Sequence, residues 1–300
     1  MTGQLQIDRL SLVFRTRHGA VRALEDVSLS IERGEILGVV GESGSGKSVL
    51  AYAVIGLQDP AAEVLGGRIL FGGLDMLAAS EQARADVRGR ELPMIFQSPR
   101  TALNPIRKVG RQIEDILRQH ANVSSGELRR HAINALARVR IPDPERRYHA
   151  YPFELSGGMC QRVMIGIATS LNPDVIIADE PTSSLDVTVQ AQILHQLERL
   201  RDERGTAILL VTHSFGVVAQ IADEVAVMYA GRIVEYGDVH AMLKEPLHPY
   251  THALLATLPR LDGANDQLRA IPGTPPSLTE PAEHCPFIPR CPKAMNECRT

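Results

Sequence analysis

Features that would assign this chain to a membrane or nucleic-acid class are absent from its 300 residues. Basic residues are not in excess, because 32 Lys and Arg stand against 35 Asp and Glu, which gives a formal net charge of −3 and argues against general nucleic-acid binding. Apolar runs such as residues 175–178 and 207–211 fall far short of the roughly 20 residues that a membrane-spanning helix needs. The N-terminus lacks the basic start and long apolar core of a signal peptide, so we expect a cytosolic chain.

Cysteine is scarce and unevenly placed. Cys160 stands alone, whereas Cys285, Cys291 and Cys298 lie near the end of the sequence. In a reducing compartment, thiols at such spacing indicate metal ligation more often than disulfides, so an iron–sulfur cluster or zinc is one interpretation. A cluster normally takes four ligands, and His284, an outside donor or a continuation of the chain would have to supply the fourth. Three unpaired cysteines are the alternative.

Strand-like and helix-like segments alternate along the chain, as in an α/β layer protein. Residues 109–120 and 125–138 carry apolar positions at helical spacing within a charged region, which predicts a helical insertion. Proline becomes frequent after residue 245, which predicts an irregular appendage with a boundary near residue 240. The predicted strands are residues 4–14, 27–31, 35–40, 94–96, 175–178, 207–211 and 224–229.

A glycine-rich loop follows the predicted strand at residues 35–40. Its string, Gly41-Glu42-Ser43-Gly44-Ser45-Gly46-Lys47-Ser48, fits G-x-x-x-x-G-K-[ST] and precedes a predicted helix that begins near Val49. Glycines let backbone N–H groups turn toward phosphate oxygens, and the helix N-terminus adds the positive end of its dipole. We expect Lys47 to reach the β- and γ-phosphates of a nucleotide and the Ser48 hydroxyl to bind Mg²⁺. An ordinary glycine turn is the alternative.

Two carboxylates, Asp179 and Glu180, end the apolar strand at residues 175–178. Adjacent negative charges at the end of a buried strand are costly unless a cation or a reacting water uses them. We expect Asp179 to orient Mg²⁺ through its water shell and Glu180 to polarise the water that attacks the γ-phosphate. Solvated turn residues are the alternative, but together with the phosphate loop the pair indicates a hydrolytic site.

A second helix N-terminus suited to an anion precedes that strand, in the string Leu155-Ser156-Gly157-Gly158-Met159-Cys160-Gln161-Arg162. Ser156 is placed as the N-cap, and Gly157 and Gly158 open the helix. This string resembles the LSGGQ-like signature of the ABC ATPase family, with Met159 in place of the usual glutamine. A simple P-loop kinase has no such element.

The resemblance covers about residues 4–240 and assigns roles to further residues. Gln97 matches the glutamine loop that senses Mg²⁺ and the membrane partner, and His213 matches the switch histidine that contacts the γ-phosphate. Ser183-Ser184-Leu185-Asp186 matches the D-loop, although Ser184 stands where the related branch usually has alanine. Phe14 resembles the aromatic residue that stacks on adenine, and an ordinary core position is the alternative.

Several strings resemble the peptide and nickel importer branch of the family. They are FQSPRTALNP, PTSSLDVTVQ, VTHSFGVVAQIAD, HPYTHALLATLP and the tail CPFIPRCPKAMNEC. The tail resembles the C-terminal extension of that branch, in which some members hold a [4Fe–4S] cluster. The resemblance therefore favours such a cluster at the three C-terminal cysteines.

The resemblance implies an architecture and a set of partners. The fold would be a RecA-like α/β core with an antiparallel β subdomain, a helical subdomain over about residues 98–165, and an irregular extension over 241–300. The chain would hydrolyse ATP with Mg²⁺ at the cytoplasmic face of the bacterial inner membrane. Its partners would be two membrane permeases, an extracytoplasmic solute-binding protein and a second ATPase subunit. The two ATPase subunits would pair head to tail, so that residues 156–158 of one cover ATP on residues 41–48 of the other.

Two other function classes fit the sequence less well. A soluble ABC ATPase that acts on DNA or ribosomes shares these site residues, but chromosome-type members carry long coiled coils, and residues 48–155 show no sustained heptads. A non-catalytic regulatory module would need a lost catalytic residue, whereas Lys47, Asp179, Glu180 and His213 are all present. The transported solute, either a peptide or a metal chelate such as nickel, is not specified by these motifs.

Overall fold

The computed structural model describes residues 4–17, 19–121, 123–183, 185–257, 271–279 and 284–299. Within these residues, ten strands form two sheets. The strands are β1 (Leu5–Thr16), β2 (Gly19–Ile31), β3 (Ile36–Val40), β4 (Ala62–Phe71), β5 (Leu74–Asp75), β6 (Met94–Ile95), β7 (Val175–Asp179), β8 (Ala207–Thr212), β9 (Glu224–Tyr229) and β10 (Arg232–Asp238).

The helices of the described part of the chain surround the larger sheet and form a separate helical region in the middle of the sequence. None of them is long and apolar enough to span a membrane. They are α1 (Lys47–Val54), α2 (Glu81–Val87), α3 (Pro99–Ala102), α4 (Val109–His120), α5 (Leu128–Arg138), α6 (Pro144–Tyr148), α7 (Gly157–Thr169), α8 (Val187–Arg204), α9 (Phe215–Ile221), α10 (Val239–Lys244) and α11 (Pro249–Leu255).

The smaller sheet is antiparallel and has the strand order β2-β1-β4-β5. The larger sheet has the order β10-β9-β3-β8-β7-β6, and it is parallel except for the antiparallel edge strand β10. Because β3, β7 and β8 are adjacent and parallel, their carboxyl ends meet at one edge of this sheet. In α/β sheets that edge is where ligands bind.

Every residue of β3, β7 and β8 is buried, as expected when both faces of a parallel sheet are covered. Side chains of β3 alternate between two hydrophobic clusters. Ile36 and Val40 join the cluster formed with the helical region, whereas Leu37 and Val39 join the cluster formed with α1 and the antiparallel sheet. β3 therefore lies between the two hydrophobic clusters, and the phosphate loop that follows it begins where they meet.

All seven predicted strands are present, with end shifts of a few residues, and the helical period is confirmed at α4. The predicted segment 27–31 is longer, since β2 begins at Gly19 and pairs with β1 as far as Thr16. Sequence patterns missed β4, β5 and β10. β4 contains Gly66 and Gly67 and is largely exposed, so it lacks the alternation of apolar and polar residues that identifies a strand.

Candidate functional site

The loop that joins β3 to α1 needs glycine because its backbone lies against other backbone. Gly46 has a φ of 103°, in the left-handed region, and a Cβ atom there would lie 2.5 Å from the carbonyl oxygen of Ala23. A Cβ atom on Gly41 would lie 2.1 Å from the carbonyl oxygen of Met228. Gly44 instead has nothing within 4 Å of a Cβ position. The loop is thus fixed at its two ends and open in the middle.

Lys47 lies inside the curve of this loop and is only 7 % exposed. Its Nζ donates hydrogen bonds to the carbonyl oxygens of Gly41, at 2.8 Å, and Glu42, at 2.9 Å. Burial lowers the pKa of Lys47, while the charges of Glu180, Asp179 and Glu42 act in the opposite direction. A charged ammonium group is therefore held where phosphate oxygens of a nucleotide could replace the carbonyl acceptors.

The remaining residues of the predicted loop complete its surface. Ser45 is buried, and its Oγ accepts a hydrogen bond of 3.3 Å from the Nζ of Lys47. Ser43 is exposed. Val49 lies in the first turn of α1 and packs against the core shared with the antiparallel sheet, so its role in this structure is packing.

Ser48 and Asp179 bring two oxygen ligands together at the edge of the sheet. The Ser48 hydroxyl donates to Asp179 Oδ1 at 3.2 Å, and Asp179 is 1 % exposed. Burial raises the pKa of Asp179 to about 6, and Glu180 adds to the rise, whereas Ser48 and Lys47 oppose it. Hard oxygen donors with few protein ligands fit Mg²⁺, which keeps several waters and binds phosphate oxygens as well.

Glu180 follows β7 in a strained conformation, with a φ of 49°. Its carboxylate accepts two hydrogen bonds from His213, each of 2.8 Å, one from the backbone N–H and one involving Nδ1. The Thr212 hydroxyl donates to the other carboxylate oxygen at 3.3 Å. The His213 side chain is 66 % exposed. Strain of this kind is concentrated at functional sites, and here it fixes a carboxylate beside an accessible imidazole.

The signature, the glutamine loop and the D-loop lie close together and form a second group of predicted site residues. Ser156 caps α7, and its hydroxyl accepts a hydrogen bond of 3.3 Å from the Met159 N–H. An open hollow of about 310 Å³ is lined by residues from all three motifs. These are Gln97, Ser98, Pro99, Arg100, Gly157, Gln161, Ser183 and Leu185. The exposed Gln97 thus lies near the signature of its own chain.

Three predicted residues have structural roles in this conformation. Asp186 caps α8, where its carboxylate accepts a hydrogen bond of 2.9 Å from the Val189 N–H. Gly158 faces α8, since a Cβ atom there would lie 3.4 Å from Val189. Phe14 is half-buried on β1 and packs against the core, so its role in adenine stacking stays a prediction. Ser184 lies outside the described residues.

The expectation of a metal centre at the C-terminal cysteines is not supported. Cys285, Cys291 and Cys298 are free thiols, each partly exposed. The Cys285 N–H donates to the Cys298 carbonyl at 3.4 Å, so the backbone brings the ends of the segment together. Nevertheless, no group of three or more His, Cys, Asp or Glu side chains in the described ranges is arranged to hold a metal ion.

Arg290 and Tyr250, which no sequence motif identified, bind Glu42 of the phosphate loop. The guanidinium of Arg290 forms two hydrogen bonds with the Glu42 carboxylate, of 2.7 and 2.9 Å, and the Tyr250 hydroxyl accepts the Glu42 N–H at 2.8 Å. Arg290 is 248 residues distant from Glu42 in sequence, so no local pattern could have indicated this contact. Thr212 was missed too, although its position directly before His213 at a strand end was a usable signal.

Family comparison agrees with this geometry. The family described as ABC transporter matches residues 24–183, more than half of the chain. The chain belongs to this ABC transporter family. A second family, described as the C-terminal region of oligopeptide/dipeptide transporters, matches residues 234–298. The protein is accordingly an ATP-hydrolysing subunit of an ABC transporter.

Individual relatives of this ABC subunit are similar over almost the whole chain. The oligopeptide transport ATP-binding protein OppD of Bacillus subtilis is 46% identical over 98% of this chain and 83% of its own length. The dipeptide transport ATP-binding protein DppD of the same organism is 44% identical over 98% of this chain and 88% of its own. Among solved structures, the dimeric bacterial ABC transporter cassette MJ0796 has a TM-score of 0.71 and 25% identity, over 78% of this chain and 98% of its own.

Proposed function

We propose that this subunit hydrolyses ATP to power the import of oligopeptides or dipeptides through a bacterial membrane. Two features of the same chain together carry the proposal. The phosphate loop, Asp179, Glu180 and His213 converge at one sheet edge. Residues 234–298 match the oligopeptide/dipeptide transporter C-terminal region. The names of the relatives support the same solute class. The site supplies the chemistry, and the extension indicates the branch of the family.

The geometry suits hydrolysis at the γ-phosphate. The backbone of residues 41–46 and the ammonium of Lys47 would bind the phosphates, and Ser48 with Asp179 would hold Mg²⁺, which would neutralise charge that develops on the phosphate oxygens. Glu180 accepts a proton from the attacking water while His213 orients the carboxylate. The water oxygen forms a bond to the γ-phosphorus, the bond from phosphorus to the β–γ bridging oxygen breaks, and ADP leaves with phosphate.

A complete site requires a second ATPase subunit. The exposed Ser156 and the half-buried Gly157 and Gly158 form a helix N-terminus that lies beside the glutamine loop, and we assign it to the ATP bound by the partner. Val187, which follows the D-loop directly at the start of α8, is 82% exposed, as expected for a residue of an interface. The dimeric cassette MJ0796 supports such pairing by analogy.

Transport requires membrane partners in addition. We assign residues 97–107 to contact with two permeases, because the segment contains the exposed Gln97 and Ile106, whose side chain is 85% exposed. These permeases would hold the subunit at the cytoplasmic face of the inner membrane, and an extracytoplasmic binding protein would deliver the solute. We divide the chain into a nucleotide-binding domain over residues 1–240, with its helical subdomain at about 98–165, and an extension over 241–300.

Reconstitution tests the proposed solute. The chain would be purified with the permeases and binding protein encoded beside it, placed in liposomes, and assayed for ATP hydrolysis with a dipeptide, a longer peptide or a nickel chelate. We expect peptide-loaded binding protein to stimulate hydrolysis severalfold. Stimulation by the nickel chelate alone would assign the metal-chelate branch instead. ATP hydrolysis that responds to DNA or ribosomes, and not to any solute, would contradict import altogether.

A further inference from the structure

The C-terminal extension contacts the phosphate loop through a buried ion pair. Arg290, whose side chain is 4% exposed, meets the carboxylate of Glu42, whose side chain is 24% exposed. Their two hydrogen bonds, of 2.7 and 2.9 Å, have the bidentate geometry of a strong arginine–carboxylate pair. Glu42 is the second residue of the loop that begins at Gly41, so the extension is bound directly to the nucleotide site.

Arg290 is itself fixed by the rest of the extension. Its Nε donates to the carbonyl oxygen of Pro272 at 2.9 Å and a terminal nitrogen donates to that of Ile271 at 3.3 Å. A second terminal nitrogen donates to the Tyr229 hydroxyl at 3.2 Å. Gly273 permits the close approach, since a Cβ atom there would lie 3.3 Å from Arg290 Cγ. The guanidinium therefore has one well-defined position.

Glu42 links this arginine to the catalytic lysine. Its carboxylate is bound by Arg290, its N–H donates to Tyr250, and its carbonyl oxygen accepts from Lys47 at 2.9 Å. The Glu42 charge is among those that act on Lys47. An unpaired carboxylate at this position would repel the phosphates of ATP and compete with them for the charge of Lys47.

We propose that Arg290 is a positioning residue for ATP binding: it neutralises the Glu42 carboxylate and holds it away from the phosphate-binding side of the loop. Through this contact the C-terminal extension sets the affinity of the subunit for ATP. The inference rests on the proposed role of residues 41–48 in binding the phosphates. It predicts that the harm from losing Arg290 comes from the charge left on Glu42, not from loss of the fold.

Four full-length variants test the inference, with Mg²⁺ and a fluorescent N-methylanthraniloyl ATP as the probe. We expect Arg290→Met to raise Kd about tenfold. The double variant Arg290→Met/Glu42→Gln should recover to within about threefold of the parent, because the repelling charge is gone. Glu42→Gln alone should tighten binding by up to about threefold. As a matched control, Arg88→Met removes a mostly buried arginine that binds Glu81 and two carbonyls away from the loop, and Kd should stay within twofold.

Three outcomes would overturn the inference. The first is parental affinity in Arg290→Met, and the second is a double variant as weak as the single one, which would indicate a purely structural contact. The third is tenfold weaker binding by Glu42→Gln, a measurement that remains decisive if the Met variant does not fold. In the assembled transporter, Arg290→Met should raise KM for ATP about tenfold and leave kcat within about twofold. Absence of ATP binding by the parent would instead contradict the proposed function itself.

Discussion

Glu180 is the residue on which we expect hydrolysis to depend most directly. Its backbone is held in the left-handed region, where a glutamate is uncommon. Its carboxylate is oriented by Thr212, which ends the neighbouring strand, and by His213, which follows it. This arrangement follows from the parallel pairing of β7 with β8, in which Asp179 lies opposite Val211. The strained backbone and the fixed carboxylate together indicate a group positioned for proton transfer.

We therefore expect Glu180→Gln to reduce ATP turnover in the assembled transporter at least about a hundredfold, the range of a lost general base. Glutamine keeps the shape of the side chain, so nucleotide binding should persist. Phosphate release would measure turnover, and equilibrium titration would measure binding. Lys47→Ala, which removes a phosphate-binding charge, is the contrasting variant and should weaken binding. Near-normal turnover of Glu180→Gln would show that another group activates the water.

Asp179 has a cost for stability that its proposed role at Mg²⁺ would explain. Burial raises its pKa from 3.8 to about 6, so the folded state disfavours the charged form that Mg²⁺ requires. Asp179→Asn should therefore raise the free energy of unfolding by about 1 to 3 kcal/mol at pH 7.5 without nucleotide or Mg²⁺. The same variant should lose Mg²⁺-dependent hydrolysis.

The gain from Asp179→Asn should depend on pH in a defined direction. Above about pH 6 the parent carries the buried charge and the variant is more stable. As the pH falls through 6 toward 4, the folded parent takes up a proton and the difference disappears. Unfolding curves at pH 7.5 and pH 5 measure this. An equal gain at both values would mean that the effect comes from packing.

At the scale of elements, the order of strands and helices places the two halves of the site. The phosphate loop and the Asp179–Glu180 pair lie at adjacent strand ends, whereas the signature opens α7 beside the glutamine loop. Ser156 has a capping role and an exposed position at once. A substitution at Ser156 therefore changes the helix cap and the exposed surface together, and a matched cap elsewhere in the chain is needed to separate the two effects.

Ser156→Arg should reduce turnover of the assembled transporter at least about tenfold, because a large charged side chain would obstruct closure of the subunits. Binding of ATP to the phosphate loop of the same chain should be retained. Loss of a cap costs about 1 kcal/mol by itself. Ser80→Arg is the matched control, since Ser80 caps α2 with a similar hydrogen bond of 3.2 Å to the Ala83 N–H. If both variants reduce turnover alike, the cap and not the interface explains the loss.

Element prediction from sequence was accurate where one periodicity dominated. Buried strands such as β7 and β8 have continuous apolar runs, and α4 has a clear apolar stripe, so each was found within a few residues. β4 was missed because its exposed and glycine-containing stretch acquires strand structure only by pairing with β1. Pairing between distant segments leaves no local signal.

At the scale of the whole molecule, the extension is attached to the core by aromatic packing. Phe287 is 1% exposed and contacts Tyr229 on β9 and Tyr250 on α11, with ring centroids 5.3 Å away in each case. Phe287→Ala should lower the free energy of unfolding by about 3 to 5 kcal/mol. Met295→Ala, at a side chain that is 62% exposed, should change it by less than about 0.5 kcal/mol. Denaturant unfolding of both variants checks this. If Phe287→Ala changed the free energy of unfolding as little as Met295→Ala, the extension would not contribute to the cooperative fold.

Assembly should control activity, because the proposed pairing covers the ATP of one subunit with the signature of the other. The purified chain should hydrolyse ATP slowly, and addition of its permeases and partner ATPase should stimulate turnover at least about tenfold. Steady-state phosphate release, with and without the partners, measures this. Full, solute-responsive activity in an isolated monomer would contradict a shared site.

The sequence by itself determined the chemistry of this protein. Phosphate binding and hydrolysis are predicted from short motifs in which neighbouring residues act together, which led to Lys47, Ser48, Asp179 and Glu180, and the resemblance to the family signature led to Ser156. Only the tertiary structure decided what surrounds them. Contacts such as Arg290 with Glu42 join segments that are far apart in the chain, and the free cysteines occupy positions set by the packing of the extension. Such contacts depend on how the whole chain folds, and no local pattern encodes them.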